Sequence, residues 1–225
     1  MNGEPEARLP GGQAALVPGS LTYARLAEAG YLTSAAFALA DVILLALLHV
    51  TGFSFGLAET LASAAIAFVL SVAWFQLGRK QEVAWFIAAG AFGAVSAVLS
   101  LIVSLWSSSP IIGFWVAISL VEVIVSLVYF AVQLLAFYTA AKKFQVRPFM
   151  YAAYLLAIGF VVSPIIGVLL VTPTSNFQPL AGETASHLAY GIGLIIAAGS
   201  ALAAALGFHR LGRNPGPETG PAVAM

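Results

Sequence analysis

Six apolar stretches alternate along this chain with loops that are basic and loops that carry no Lys or Arg at all. The nine Lys and Arg residues fall in the N-terminal segment (Arg8, Arg25), the second loop (Arg79, Lys80), the fourth loop (Lys142, Lys143, Arg147) and the C-terminal tail (Arg210, Arg213). Every one of these lies on the same side of a six-span topology. Basic loops resist translocation, so that side is expected to be cytoplasmic, with both termini there. The pattern predicts an all-α polytopic bundle of six transmembrane helices in the plasma membrane.

Composition leads to the same class. The 225 residues are 61% hydrophobic and 8% charged, against roughly 25% charged in a soluble domain. Lipid must be the main solvent of such a surface. Six spans of roughly 20 residues use most of the chain and leave one membrane domain, 21–211. The Pro/Gly-containing segment 1–20 and the tail 212–225 are expected to be disordered cytoplasmic ends. Net charge is zero and Cys is absent, which excludes thiolate metal sites and cysteine nucleophiles and gives no reason to expect nucleic acid as a partner.

The expected spans run from about Tyr31 to Gly52, Leu57 to Leu77, Ala84 to Trp106, Ile111 to Ala141, Phe149 to Val171 and Ala185 to Phe208. Ser20 is placed to cap a first helix that begins at the interface. The fourth stretch is longer than the bilayer core is thick and must tilt or project. Pro164 removes a donor from the fifth and is expected to kink it. Aromatics form two bands. The inner one includes Trp74, Phe75, Trp85, Phe86, Phe137, Tyr138, Phe149 and Tyr151; the outer one includes Phe53, Phe55, Trp106, Phe114, Trp115 and Phe177. Both match the depth that amphipathic rings favour. AWFQLGRKQEVAWF (Ala73–Phe86) aligns without gaps on AFYTAAKKFQVRPF (Ala136–Phe149), and LGR recurs at Leu211–Arg213. Three successive helical hairpins, each closing on a basic corner, would produce this.

Two carboxylates, Asp41 and Glu122, fall near the expected midplane. Each costs at least ~2.5 kcal/mol to bury there, so both should face the protein. No Lys or Arg shares their depth, which favours the neutral, hydrogen-bonded form. Ser119, Glu122, Ser126, Tyr129 and Gln133 share one face of the fourth span by their three- and four-residue steps. Ser34, Asp41 and His49 share a face of the first, and Ser96, Ser100, Ser104 and Ser107 a face of the third. A polar core lined by spans one, three and four is the simplest construction. Its functional reading is a proton or ion path through Asp41, Glu122, Ser119, Ser126 and Gln133. Its packing reading is interhelical hydrogen bonding worth about 1 kcal/mol or less per bond.

Toward the outer face, His49, Glu59, Glu183 and His187 could gather. His49 and His187 sit at similar depth on different spans, the spacing a b-type haem or a metal would need, with Gly191 and Gly193 able to admit a ring. Isolated interfacial histidines that reach headgroup water account for them more simply, and no cofactor is expected. Gly159, Ser163 and Gly167, with the run Ala197 to Ala205, offer smooth faces for close helix approach, within the chain or against another subunit.

FQLGRKQEVAWFIAAGAFGAV (Phe75–Val95) and GLIIAAGSALAAALGFHRLGR (Gly193–Arg213) combine apolar helices, spaced glycines and an aromatic followed by a Leu-Gly-Arg corner. In this the chain resembles small uncharacterised multi-pass membrane families of archaea. The resemblance covers under a fifth of the chain, implies the membrane fold, and transfers neither an activity nor a site residue.

No Walker loop, H-E-x-x-H or G-x-S-x-G is present, and the loops are too short for a soluble catalytic domain, so no enzymatic activity is expected. Two functions follow as expectations. The first is a non-catalytic integral membrane subunit or assembly partner of a larger complex, with the bilayer and other membrane subunits or further copies as partners. The second is a small secondary transporter or proton/ion conductor. A b-type haem electron carrier is a third.

Overall fold

The computed structural model describes residues 16–17, 19–48, 57–106, 112–171 and 180–213, without the side chains of 47–48, 57–59, 106, 112–116, 163–171 and 180–189. Six helices account for nearly all of it: α1 Leu21–Leu48, α2 Leu57–Gln81, α3 Ala84–Trp106, α4 Ile112–Phe144, α5 Arg147–Val171 and α6 Leu180–Arg213. Among the described residues there is no strand. Five helices are long and apolar enough to cross a membrane; α5 contributes a shorter apolar stretch, Arg147–Val162. Large aliphatic side chains stand exposed on these helices, Leu120 at 62%, Ile43 at 56% and Leu206 at 55% among them. Helices apolar on all sides belong in lipid, where the backbone must satisfy its own hydrogen bonds. The chain is built as a multi-pass membrane protein.

Helix ends differ from the expected spans in an instructive way. α1 starts at Leu21, right after Ser20, and the turns read as interfacial belong to one continuous helix. α6 starts at Leu180, so the last residues of the expected outer loop are helical, and α5 runs on through Pro164. Hydropathy marks the membrane core, whereas helices continue past it. The terminal segments 1–15 and 214–225 and the outer aromatic side chains lie outside the described residues.

Each helix packs on its chain neighbours, and α6 packs on α1, closing a six-membered ring. Every described Lys and Arg sits at the starts of α1 and α5 or the ends of α2, α4 and α6, so the ring has one basic end. The two aligned corners there are the same turn. Glu82 and Gln145 have positive φ, 52° and 56°, and each is followed by a valine whose carbonyl accepts from the amide three residues on, Phe86 or Phe149. Gly19, with φ 81°, also precedes a helix start, although the Ser20 carbonyl accepts from Ala24, four residues on; the interval from Gly19 to Glu82 equals that from Glu82 to Gln145. At Glu82 and Gln145 a left-handed residue ends one helix and releases the next.

The inner aromatic band divides in two. Trp74, Phe86, Phe137 and Phe149 are buried, whereas Trp85, Tyr138 and Tyr151 are exposed. Adjacent residues on a helix lie about a hundred degrees apart, so of Trp85–Phe86 and of Phe137–Tyr138 one ring enters the bundle and the other meets lipid. Trp74 is the centre of the buried set, 4.9 Å from Phe86, 5.7 Å from Phe137 and 5.2 Å from Phe208 between ring centroids. Phe149 meets Phe208 at 4.9 Å and Phe137 at 6.4 Å. These rings fill the ring of helices at its basic end.

The seams are unequal. An alanine methyl at Gly90 would lie 2.5 Å from the Phe75 nitrogen and the Ser71 carbonyl, and one at Gly78 2.5 Å from the Ile87 nitrogen. α2 and α3 therefore touch backbone to backbone. In the aligned corner the equivalent positions hold Ala141 and Ala153, and α4 packs on α5 less closely than α2 on α3. Two methyl groups separate the two seams.

Candidate functional site

A cavity of about 300 Å³ lies within the ring above the aromatic cluster, lined from α1, α2, α4, α5 and α6. Its polar wall is Tyr31, Ser34, Ser63, Tyr129, Gln133 and Ser200; its apolar wall includes Phe37, Ile66, Leu70, Phe137 and Leu156. That balance, mostly apolar with a few placed polar groups, is the usual make-up of a small-molecule site, at the small end of the range. Among the described residues no Asp, Glu, Lys, Arg or His lines it.

Tyr31 is the best-held of these groups. Its ring is buried between Phe137 and Phe208, at 5.7 Å and 5.9 Å. Its Oη accepts from Trp74 Nε1 at 2.8 Å and from Gln133 Nε2 at 2.9 Å. One hydroxyl thereby ties α1 to α2 and α4. Ser200 Oγ donates to the Ala152 carbonyl at 2.9 Å and fixes α6 on α5. Tyr129 is set by Gly93, where a methyl would lie 3.0 Å from its Cε2. In an apolar surrounding these bonds hold the wall in one geometry.

Below the aromatic cluster, three contacts close the basic end. His209 Nδ1 lies 2.8 Å from Glu28 Oε1, joining α6 to α1. Gln81 Nε2 donates to Ser20 Oγ at 3.4 Å, and Lys143 Nζ donates to the Gln81 carbonyl at 3.0 Å. The buried Gln81 thus gathers the ends of α1, α2 and α4.

The residues singled out from the sequence fall in three places. Gln133, Tyr129 and Ser34 line the cavity. Glu122 accepts from Ser100 Oγ at 2.8 Å, and Ser126 lies 3.4 Å from Ser96, so these four form a polar seam between α3 and α4. The Ser119 hydroxyl is buried on that face with no partner among the described residues. Asp41 is half-buried on α1 and lines neither seam nor cavity. The expected core of spans one, three and four is therefore two separate features, and α3 contributes nothing to the cavity. Ser96 and Ser100 face α4, and Gly90 and Gly93 are pressed on α2. His49 and Ser107, with the side chains of Glu59, Glu183 and His187, lie outside the described residues. Among the described residues no three His, Asp or Glu side chains gather as metal ligands would.

Tyr31, Trp74, Ser63 and Ser200 are the cavity and network residues that sequence reasoning missed. Tyr31 and Trp74 look like interfacial anchors by position alone. Ser63 and Ser200 were legible as lone hydroxyls on otherwise apolar spans, a signal weaker than a carboxylate.

The Glu122–Ser100 contact has the form of interhelical packing. A double-mutant cycle of Glu122→Gln and Ser100→Ala, read from unfolding in mixed micelles, should give a coupling of about 0.6 kcal/mol, with either variant retaining the fold. A coupling near zero would place the carboxylate elsewhere.

No family model matches the chain, and no curated protein or solved structure matches it.

Proposed function

We propose that this protein spans the membrane six times, basic end in the cytoplasm, and carries a small uncharged molecule in the cavity on Tyr31 and Gln133. The observation behind this reading is the cavity itself: a partly polar space at the centre of a closed helix ring, with a hydroxyl held in place by two donors. A charged ligand would enter without a countercharge, at a cost of several kcal/mol. Release to the cytoplasm requires the aromatic cluster to part and the Glu28–His209 and Gln81 contacts to open.

The alternative of a non-catalytic subunit rests on the short loops, the absence of catalytic motifs and the small-residue helix faces. Much of the described part of those faces is covered within the chain. Gly159 faces Ile196, Gly207 faces Phe149, and Ala198, Ala201, Ala204 and Ala205 are buried. A proton path would draw on Asp41 and Glu122, and neither lines the cavity.

Native mass spectrometry of protein extracted from its own membrane tests the carrier. An uncharged molecule should co-purify, and its occupancy should fall about tenfold or more in Gln133→Leu and Ser34→Leu. Unliganded protein throughout, or a stoichiometric second subunit in place of a small molecule, would refute it.

A further inference from the structure

The two phenol hydroxyls of the cavity, Tyr31 and Tyr129, say what kind of atom they await. A phenol oxygen has one proton to donate and two lone pairs. Both lone pairs of Tyr31 are engaged by Trp74 and Gln133, which leaves its O–H as a donor. Among the described residues no acceptor is hydrogen-bonded to that proton, and none to the Tyr129 hydroxyl on the same wall. Both phenols have a proton to give, so a ligand oxygen that accepts from them is favoured over one that donates.

A second space adjoins the first. A cleft of about 330 Å³ runs between α4 and the α5–α6 pair, lined by Phe130, Leu155, Gly159, Phe160 and Gly193 among others. Among the described residues Tyr190 is the one lining residue with a polar side chain. Leu156 and Ala197 belong to the walls of both spaces, so the cleft lies directly beside the cavity. It opens along the seam where Ala141 and Ala153 replace the glycines of the tight corner. Phe130 and Phe160 stack at 4.2 Å beside it. The cavity offers neutral donors, and the cleft beside it offers apolar walls.

Resting on the carrier reading above, we infer that the ligand is an uncharged amphiphile. Its acceptor oxygen, a carbonyl, sits against Tyr31 and Tyr129. Its single apolar tail lies in the cleft between α4 and α5–α6, the route by which it enters from the membrane. A free water-soluble solute would have no use for the cleft, and a charged lipid headgroup would meet no countercharge.

The test uses two probes with one quinone head: decylubiquinone and the same head without its tail. The full chain, with Trp85, Trp106 and Trp115 changed to Phe so that Trp74 alone reports, is placed in nanodiscs. Quenching of Trp74 is titrated, with probe concentrations referred to the lipid phase by protein-free discs. Both probes should quench. Tyr129→Phe should weaken both about fivefold to tenfold. Gly193→Phe, which fills the cleft, should weaken the tailed probe at least tenfold and leave the bare head unchanged. Unaltered helicity of both variants by circular dichroism makes these losses local. Equal affinity of the tailed probe for the Gly193→Phe and parent proteins overturns the tail assignment and leaves the cavity reading intact. An unchanged affinity in Tyr129→Phe overturns the acceptor assignment. No quenching by either probe overturns this inference and the cavity reading together.

Discussion

Replacing Trp74 with alanine should destabilise the fold by about 3–5 kcal/mol, the range for emptying a buried aromatic site. The indole touches one ring from each of α3, α4 and α6, so its loss leaves a void at the point where the hairpins meet. It also frees the Tyr31 hydroxyl from one of its two donors. Trp74→Phe separates these effects: most packing survives, and the expected loss is about 1 kcal/mol, the net worth of one hydrogen bond. Trp85→Ala is the control. Trp85 lies one corner away in the same sequence motif but is 45% exposed, and its removal should cost about 0.5 kcal/mol or less. Unfolding of the purified protein in mixed micelles, followed by circular dichroism, ranks the three. Equal losses for Trp74→Ala and Trp85→Ala would mean that the aromatic cluster does not hold the ring together.

Gly90→Ala should cost about 2 kcal/mol although alanine is the better helix former. The added methyl meets backbone atoms of Ser71 and Phe75 at 2.5 Å, and backbone cannot swing aside as a side chain can. α2 and α3 must separate along the seam, which costs about 3 kcal/mol, offset by about 1 kcal/mol of helix propensity. Gly199→Ala makes the contrast. Its methyl would stand 3.4 Å from Leu155 Cδ1, an ordinary contact, so propensity should win and stability should rise by up to about 1 kcal/mol. The same micelle unfolding measures both. Gly90→Ala matching or exceeding the parent would show that the two helices are not in backbone contact.

These two predictions mark the boundary of what could be read from the sequence. Helix count and the gathering of basic residues at one end were legible because lipid imposes them on composition directly. The corner repeat was legible too, and its left-handed residues give it a structural meaning. The inward face of each helix was not. Nearly every residue is apolar, so periodicity carries no signal, and Trp74 and Trp85 look alike. Carboxylates drew attention because charge in lipid is costly, yet Glu122 spends itself on Ser100 in a seam between neighbours. The cavity is made by a tyrosine, a glutamine and serines from helices distant in sequence. Only the closure of α6 on α1 brings them together, and local pattern cannot show that.

Closure has one more consequence. Gly212 lies beside Leu21, where a methyl would meet its Cδ1 at 3.5 Å, and His209 reaches Glu28. The last described turn of the chain thus adjoins the first. The order of the hairpins is cyclic, and where the polypeptide begins is incidental to the architecture. Opening the chain at the Glu82 corner and joining its old ends would leave every seam between the same helices, with both new ends on the basic side. A circularly permuted chain beginning at α3 has the same ring to fold into.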